Sequence, residues 1–197
     1  MEALIVDSGG ANLASLQFAF ERLGARARVS RDAREIAAAA RVVLPGVGSA
    51  ADAMRRLRES GIAEMLPSLR QPVLGICLGM QLLFERSAED STQCLGVIPG
   101  TVRRLEPACG RPVPHMGWNR LMPLQRDPLL EGIEPGEYFY FVHSYAAPVA
   151  EATVAQMEYG EALSAIVRRE NFCGTQFHPE RSSSAGARLL ANFLELS

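Results

Sequence analysis

Cys77 stands in the run Gly75-Ile76-Cys77-Leu78-Gly79, where a short apolar segment ends and a helical pattern begins. A cysteine flanked by small residues at a strand-to-helix turn is the thiol version of the nucleophile elbow. The flanking glycines suit a turn so sharp that side chains there collide with the neighbouring strand or helix. A helix starting behind the sulfur aims its positive end and free N–H groups at it, which favours the reactive thiolate. Taken alone, Cys77 is read equally well as one more buried cysteine.

Phe177-His178-Pro179-Glu180 is the second signal, following a β-like run from Phe172. In an extended segment side chains alternate, so His178 and Glu180 are expected on one side, with Pro179 restraining the backbone. A cysteine nucleophile needs a base and the base needs a group to orient it; this pair supplies both. Separately, His178 could be a core histidine and Glu180 an acid near a helix start. Three residues matching one mechanism make the chemical reading the better one. Pro45-Gly46-Val47-Gly48 is a glycine-rich turn expected on the same sheet edge, where ligands bind in open α/β sheets. It can place an N–H from Val47 or Gly48 opposite that of Leu78, each donor contributing roughly 3 kcal/mol to an oxyanion; on glycine content alone it is an ordinary turn. Gln81 follows Cys77 by one helical turn and suits a contact to a substrate amide.

The elements that must hold these residues alternate through the first half as short strands and helices, the pattern of a parallel sheet covered on both faces. Ala3 to Val6, Arg26 to Val29, Val42 to Leu44 and Val73 to Ile76 read as strands. Helical spacing appears at Leu13, Leu16, Phe20 and Leu23, from Asp32 to Ala40, from Met54 to Arg58, at Ile62, Met65, Leu66 and Leu69, and behind Cys77 through Phe84. Beyond about residue 95 the strands look antiparallel, Tyr138 to Val142 most clearly. Ser87 to Gln93 and Pro107 to Pro114 read as surface loops. A last helix runs through Leu189, Leu190, Phe193, Leu194 and Leu196, entered through the capping cluster Ser182-Ser183-Ser184.

Composition bounds the function. The 197 residues allow one domain, and 48% hydrophobic against 21% charged residues suits a globular core. A formal charge of −2 argues against a nucleic-acid surface. No apolar run reaches the roughly 18 residues of a spanning helix, and Glu2 stands where a targeting segment would be basic, so a soluble cytoplasmic protein is expected. Cys77, Cys94, Cys109 and Cys173 form no C-x-x-C pair, which fits a reducing compartment and gives a zinc site no support. Cys94, Cys109 and Cys173 are assigned to packing and His143, on a hydrophobic strand, to structure rather than proton transfer, while His115 is given no role.

PGVG (45–48), GICLGMQLLFE (75–85) and FHPE (177–180) together resemble the class I, or triad, glutamine amidotransferases, over essentially the whole chain. Within that family, PHMGWN (114–119) and YFVHSY (140–145) are similar to the glutaminase subunits of imidazole glycerol phosphate synthase. The resemblance implies a flavodoxin-like α/β fold in a single domain over residues 1–197. It implies cofactor-free hydrolysis of L-glutamine, with ammonia passed to a separate (β/α)₈ cyclase subunit in a heterodimer of histidine biosynthesis. It makes Cys77, His178 and Glu180 the triad and Val47, Gly48 and Leu78 the oxyanion site. Gly48, Gln81, Ser144 and Tyr145 would hold glutamine, while Asn12, Trp118 and Arg181 would lie near the cyclase; Trp118 reads equally well as a core aromatic. The chain departs from the family pattern at Arg181, usually Lys, at Ala11, commonly Gly, and at Ala146, often aromatic. Three other readings stay open: the glutaminase of another class I amidotransferase, a stand-alone cysteine hydrolase using the same elbow, and a regulatory module with a degenerate site.

Overall fold

Every residue of Ala3-Leu4-Ile5-Val6 is buried, so the first strand is covered on both faces. The computed structural model describes residues 1–9 and 13–196; Ala11 and Asn12 lie outside them. The first half contains β1 (Glu2–Val6), α1 (Leu13–Arg22), β2 (Arg26–Ser30), α2 (Ala33–Ala38), β3 (Val42–Gly46), α3 (Ala50–Glu59), α4 (Ile62–Met65), β4 (Val73–Cys77) and α5 (Leu78–Leu82). The second contains β5 (Phe84–Ser87), β6 (Thr92–Gln93), β7 (Ile98–Arg104), β8 (His115–Arg120), β9 (Met122–Pro123), β10 (Tyr138–His143), β11 (Tyr145–Ala146), β12 (Thr153–Glu158), β13 (Ala162–Arg169), β14 (Phe172–Thr175) and α6 (Ser183–Glu195).

The main sheet runs in the order β2-β1-β3-β4-β14-β13-β12-β9. Its first five strands are mutually parallel and the last three antiparallel. Ala3, Ile5, Val43, Leu74 and Ile76 point to one side, where α1 and α6 bring Leu16, Phe20 and Phe193. Leu4, Val6, Val42, Leu44 and Val73 point to the other, against Ile36, Met54, Leu57 and Ile62 of α2, α3 and α4. Burial on both faces is why the parallel strands read as continuous apolar runs rather than alternating ones. The fold is thus a doubly covered, mostly parallel α/β sheet with antiparallel strands in the second half.

Four local expectations are corrected. The helix behind Cys77 stops at Leu82, because Phe84 begins β5, whose pairing with β7 is parallel. The Ile62–Leu69 pattern forms one α turn and a 3₁₀ turn over Leu66–Ser68, where Pro67 sits in the first turn and lacks an N–H to continue. Ser87–Gln93 is not wholly a surface loop: Ser87 and Thr92 are buried, and β6 pairs with β5. Cys109 is exposed and packs into no core, in contrast to buried Cys94 and Cys173.

The topology does the work of assembly. β4 lies between β3 and β14, with Gly46 opposite Cys77 and Thr175 opposite Ile76. All three strands run the same way, so the Pro45–Gly48 turn, Cys77 and the His178 segment leave the sheet at one edge. Sequence neighbours could not have achieved this: the three pieces meet because parallel strands share a carboxyl end.

Candidate active site

Cys77 has φ +55° and ψ −110°, a left-handed conformation that costs a residue with a side chain on the order of 1–3 kcal/mol. Close packing on either side holds it there. A Cβ on Gly75 would sit 2.7 Å from the backbone of Gly79 and Met80, and one on Gly79 would overlap the carbonyl oxygen of Leu44. The start of α5 therefore rests directly on β3 and β4, and only glycine fits at both positions.

His178 leaves β14 through Gln176 and Phe177. Its backbone N–H donates to Tyr140 O at 3.0 Å, and Ser182 Oγ accepts from Tyr140 N at 3.0 Å while donating to His178 O at 2.7 Å. Ser182 thus clamps the histidine segment to β10, and its side chain makes no cap bond to α6, contrary to the capping expected of it. His178 Nδ1 donates to Glu180 Oε1 at 2.9 Å. The two side chains do meet, but by a different route from the expected strand: Pro179–Arg181 form a 3₁₀ turn, with Pro179 at its first position. Burial works against a charged imidazole here. The hydrogen bonds to Cys77 and Glu180 and their charges overcome it, raising His178 to about 10.

Cys77 and His178 border a cavity of about 330 Å³. It is also lined by Val47, Gly48, Leu78, Gln81 and Glu89, and by Val142 to Tyr145, which run from the end of β10 into β11. The N–H of Leu78, first in α5, has no acceptor within its helix. Gly48, which lines the cavity, has φ +89°, a conformation that favours glycine. Gln81 is buried, and its Nε2 donates to Tyr145 O at 2.8 Å and to Gln176 Oε1 at 3.0 Å. Both of its N–H groups are engaged by protein acceptors, so any contact it makes to a ligand in the cavity is through Oε1.

His143 and His115 form a buried pair. His143 Nδ1 donates to Tyr145 O at 2.9 Å, so its Nε2 accepts from His115 Nδ1 at 3.2 Å. Burial pushes His143 down to about 4 and lowers His115, leaving both rings neutral. Burial also pushes the thiols of Cys94 and Cys173 up, to about 11 and 12. Two residues at the site went unread in the sequence. Glu89, the one carboxylate lining the cavity among the described residues, sits in the stretch taken for a surface loop. Gln176 has Nε2 3.9 Å from Cys77 Sγ; its place just before FHPE, at the end of a strand parallel to β4, was the available signal.

Residues 4–196 match the family model "Glutamine amidotransferase class-I". The chain belongs to the class I glutamine amidotransferases. Over 196 residues it is 54% identical to "Imidazole glycerol phosphate synthase subunit HisH" of Xanthomonas euvesicatoria pv. vesicatoria (strain 85-10), covering 100% of this chain and 98% of that one. The protein of the same name from Xylella fastidiosa (strain Temecula1 / ATCC 700964) is 55% identical over 195 residues, covering 99% and 98%. Among solved structures, one described as "Crystal structure of glutamine amidotransferase" superposes with TM-score 0.76 at 24% identity, covering 98% of this chain and 97% of that one. "Structure of PurLQS from Thermotoga maritima" gives 0.71 at 20% identity, covering 98% and 97%. These two likenesses concern the fold.

In this class I amidotransferase the β8–β10 ribbon has two unlike faces. Phe139, Phe141, His115 and His143 point inward and are buried. Cross-strand partners share a face, and the pairs Tyr138↔Arg120, Tyr140↔Trp118 and Val142↔Met116 lie on the outer one. Met116 is 62% exposed, Trp118 50% and Tyr138 50%. Trp118 is therefore no core aromatic; it meets Tyr140 edge-on at 5.9 Å between ring centroids. The Arg181 guanidinium lies over the Tyr140 ring, 4.6 Å from its centroid, a stacking suited to its planar shape. Ala146 is fully buried in β11. Asn12 falls outside the described residues. No helix among the described residues is long and apolar enough to cross a membrane.

Proposed function

We propose that this chain is the glutaminase subunit of an imidazole glycerol phosphate synthase, with residues 1–197 acting as one amidotransferase domain. It hydrolyses L-glutamine to glutamate and ammonia and passes the ammonia to a (β/α)₈ cyclase subunit in a heterodimer of histidine biosynthesis. The observation that carries the reading is the strained Cys77 elbow sharing one cavity with His178, whose ring is held by Glu180. The 54% identity to the Xanthomonas subunit over the full chain supports the choice of synthase.

Cys77 attacks the carboxamide carbon of glutamine, and the N–H groups of Leu78 and of Val47 or Gly48 hold the oxyanion. As the tetrahedral species collapses, the C–N bond breaks and protonated His178 gives its proton to the departing nitrogen, releasing ammonia and leaving a thioester. Among the contacts that raise the His178 pKa, the hydrogen bond to Cys77 is the largest. Acylation removes it and the His178 pKa falls, so the imidazole that has given up its proton stays neutral and free to accept one from water. His178 then takes a proton from water, the hydroxide attacks the thioester, and the C–S bond breaks to return Cys77 and release glutamate. Glu180 orients the ring through both steps. Gly48, Gln81, Ser144 and Tyr145 hold the substrate, and Glu89 suits its α-ammonium.

The outer face of β8 and β10, with Met116, Trp118, Tyr138 and Arg181, is the proposed docking surface for the cyclase, and Asn12 is assigned to the same interface. An exposed cluster of large apolar side chains of this kind suits a protein partner. The test is activity of the complex with Cys77→Ala. Glutamine-dependent synthesis should be lost while synthesis from free ammonia persists; full retention of glutamine-dependent synthesis would overturn the reading.

A further inference from the structure

Besides its contact with His178, the sulfur of Cys77 lies between an acceptor, Val142 O at 3.6 Å, and a second donor, Gln176 Nε2 at 3.9 Å. A thiol can donate to the carbonyl; a thiolate cannot, and is drawn to the N–H. We infer that Gln176 is a further residue of the reaction, donating an N–H to the Cys77 sulfur as its negative charge develops. This rests on Cys77 being the nucleophile.

The orientation of the Gln176 amide is dictated by its neighbours. Tyr145 O can only accept, so Gln81 must present Nε2 to it at 2.8 Å. The second N–H of that nitrogen points at Gln176 Oε1, 3.0 Å away. With its oxygen committed there, Gln176 must turn its NH₂ toward Cys77. His143 donates to the same Tyr145 carbonyl and is backed by His115. Gln176 is fully buried, so no water competes to hold its amide the other way. The chain of bonds from His115 to Gln176 thus ends in a donor fixed against the reacting atom, and the same Gln81 that lines the substrate cavity aims it.

The test follows alkylation of Cys77 by iodoacetamide in the full-length chain over about pH 5 to 9, resolved by site with mass spectrometry because Cys109 is exposed. Gln176→Met keeps the side-chain length and removes the donor. Cys77 alkylation at neutral pH should fall about tenfold and its pH profile should move to higher pH, a change that loosened packing alone would not produce. Gln176→Glu keeps the shape but sets a carboxylic oxygen against the sulfur. It should slow the reaction further at alkaline pH, and it keeps the test decisive if the methionine variant fails to fold. Profiles that superimpose on the wild type in a folded variant would overturn the role of Gln176 while leaving Cys77 as nucleophile. A Cys77 unreactive at every pH in the wild-type chain would remove both.

Discussion

The carbonyl oxygen of Leu44 occupies the space that a Cβ of Gly79 would need. Leu44 belongs to β3 and Gly79 to the first turn of α5, so this contact sets how closely the elbow sits on the strand that carries the Pro45–Gly48 turn. Gly79→Ala forces the two apart. It should destabilise the fold by about 1–3 kcal/mol, read from denaturant unfolding, and lower glutaminase activity by more than the stability loss explains. An alanine variant with unchanged activity would mean that the spacing of elbow and turn is not critical.

His178 should hold its proton well into the alkaline range. Its folded pKa of about 10 lies above the ordinary 6.5, so the proton is bound more tightly in the folded chain. The resulting stabilisation is fully present below about pH 6.5 and is lost as pH rises through about 10. Ring nitrogen shifts in nuclear magnetic resonance should show imidazolium near pH 8 in the wild type. In Cys77→Ala, without the sulfur contact, the titration should move down; an unchanged midpoint there would contradict the proposed switch from acid to base on acylation.

Glu89 suits the α-ammonium of glutamine. One of its oxygens, Oε2, already accepts from Ala50 N at 2.7 Å, at the start of α3. Glu89→Gln can keep that bond through its amide oxygen while removing the charge. The expected kinetic signature is a KM raised about tenfold with kcat little changed, the mark of lost ground-state binding. A fall in kcat alone would place Glu89 elsewhere in the mechanism.

Trp118 stands half exposed on the outer face of the ribbon and should act at the partner surface rather than in the fold. Trp118→Ala should weaken binding of the cyclase subunit by roughly 2 kcal/mol or more, measured by titration calorimetry. The isolated subunit should keep its unfolding free energy to within about 0.5 kcal/mol. Unaltered affinity would remove Trp118 from the interface.

Much of the positioning framework is legible in order along the chain. The apolar runs at Ala3–Val6, Val42–Leu44 and Val73–Ile76 become parallel strands because each is buried on both faces, which is the physical cause of the continuous pattern. Less legible are the places where a local pattern competes with tertiary pairing. The apolar residues Leu82, Leu83 and Phe84 continue a helical spacing, yet Phe84 pairs with Ile98 in β7. Ser182 looks like a helix cap, yet its hydroxyl is committed to Tyr140 and His178. In both cases the decisive partner is remote in sequence.

Local chemistry was open to reading from the residues alone: a thiol between glycines at a strand end, and a histidine two residues before a glutamate. Those signals depend on near neighbours, since a sharp turn demands small flanking side chains and His178 reaches Glu180 within a single turn. What only the tertiary structure decided is which groups meet across the sheet edge. The parallel register of β3, β4 and β14 brings the Pro45–Gly48 turn, Cys77 and the His178 segment to one place. The amide of Gln176 faces the sulfur because a carbonyl on β11, Tyr145 O, orients Gln81, which in turn orients Gln176. Sequence spacing carries no information about such a chain of donors and acceptors, because each link is a hydrogen bond between residues that only folding makes neighbours.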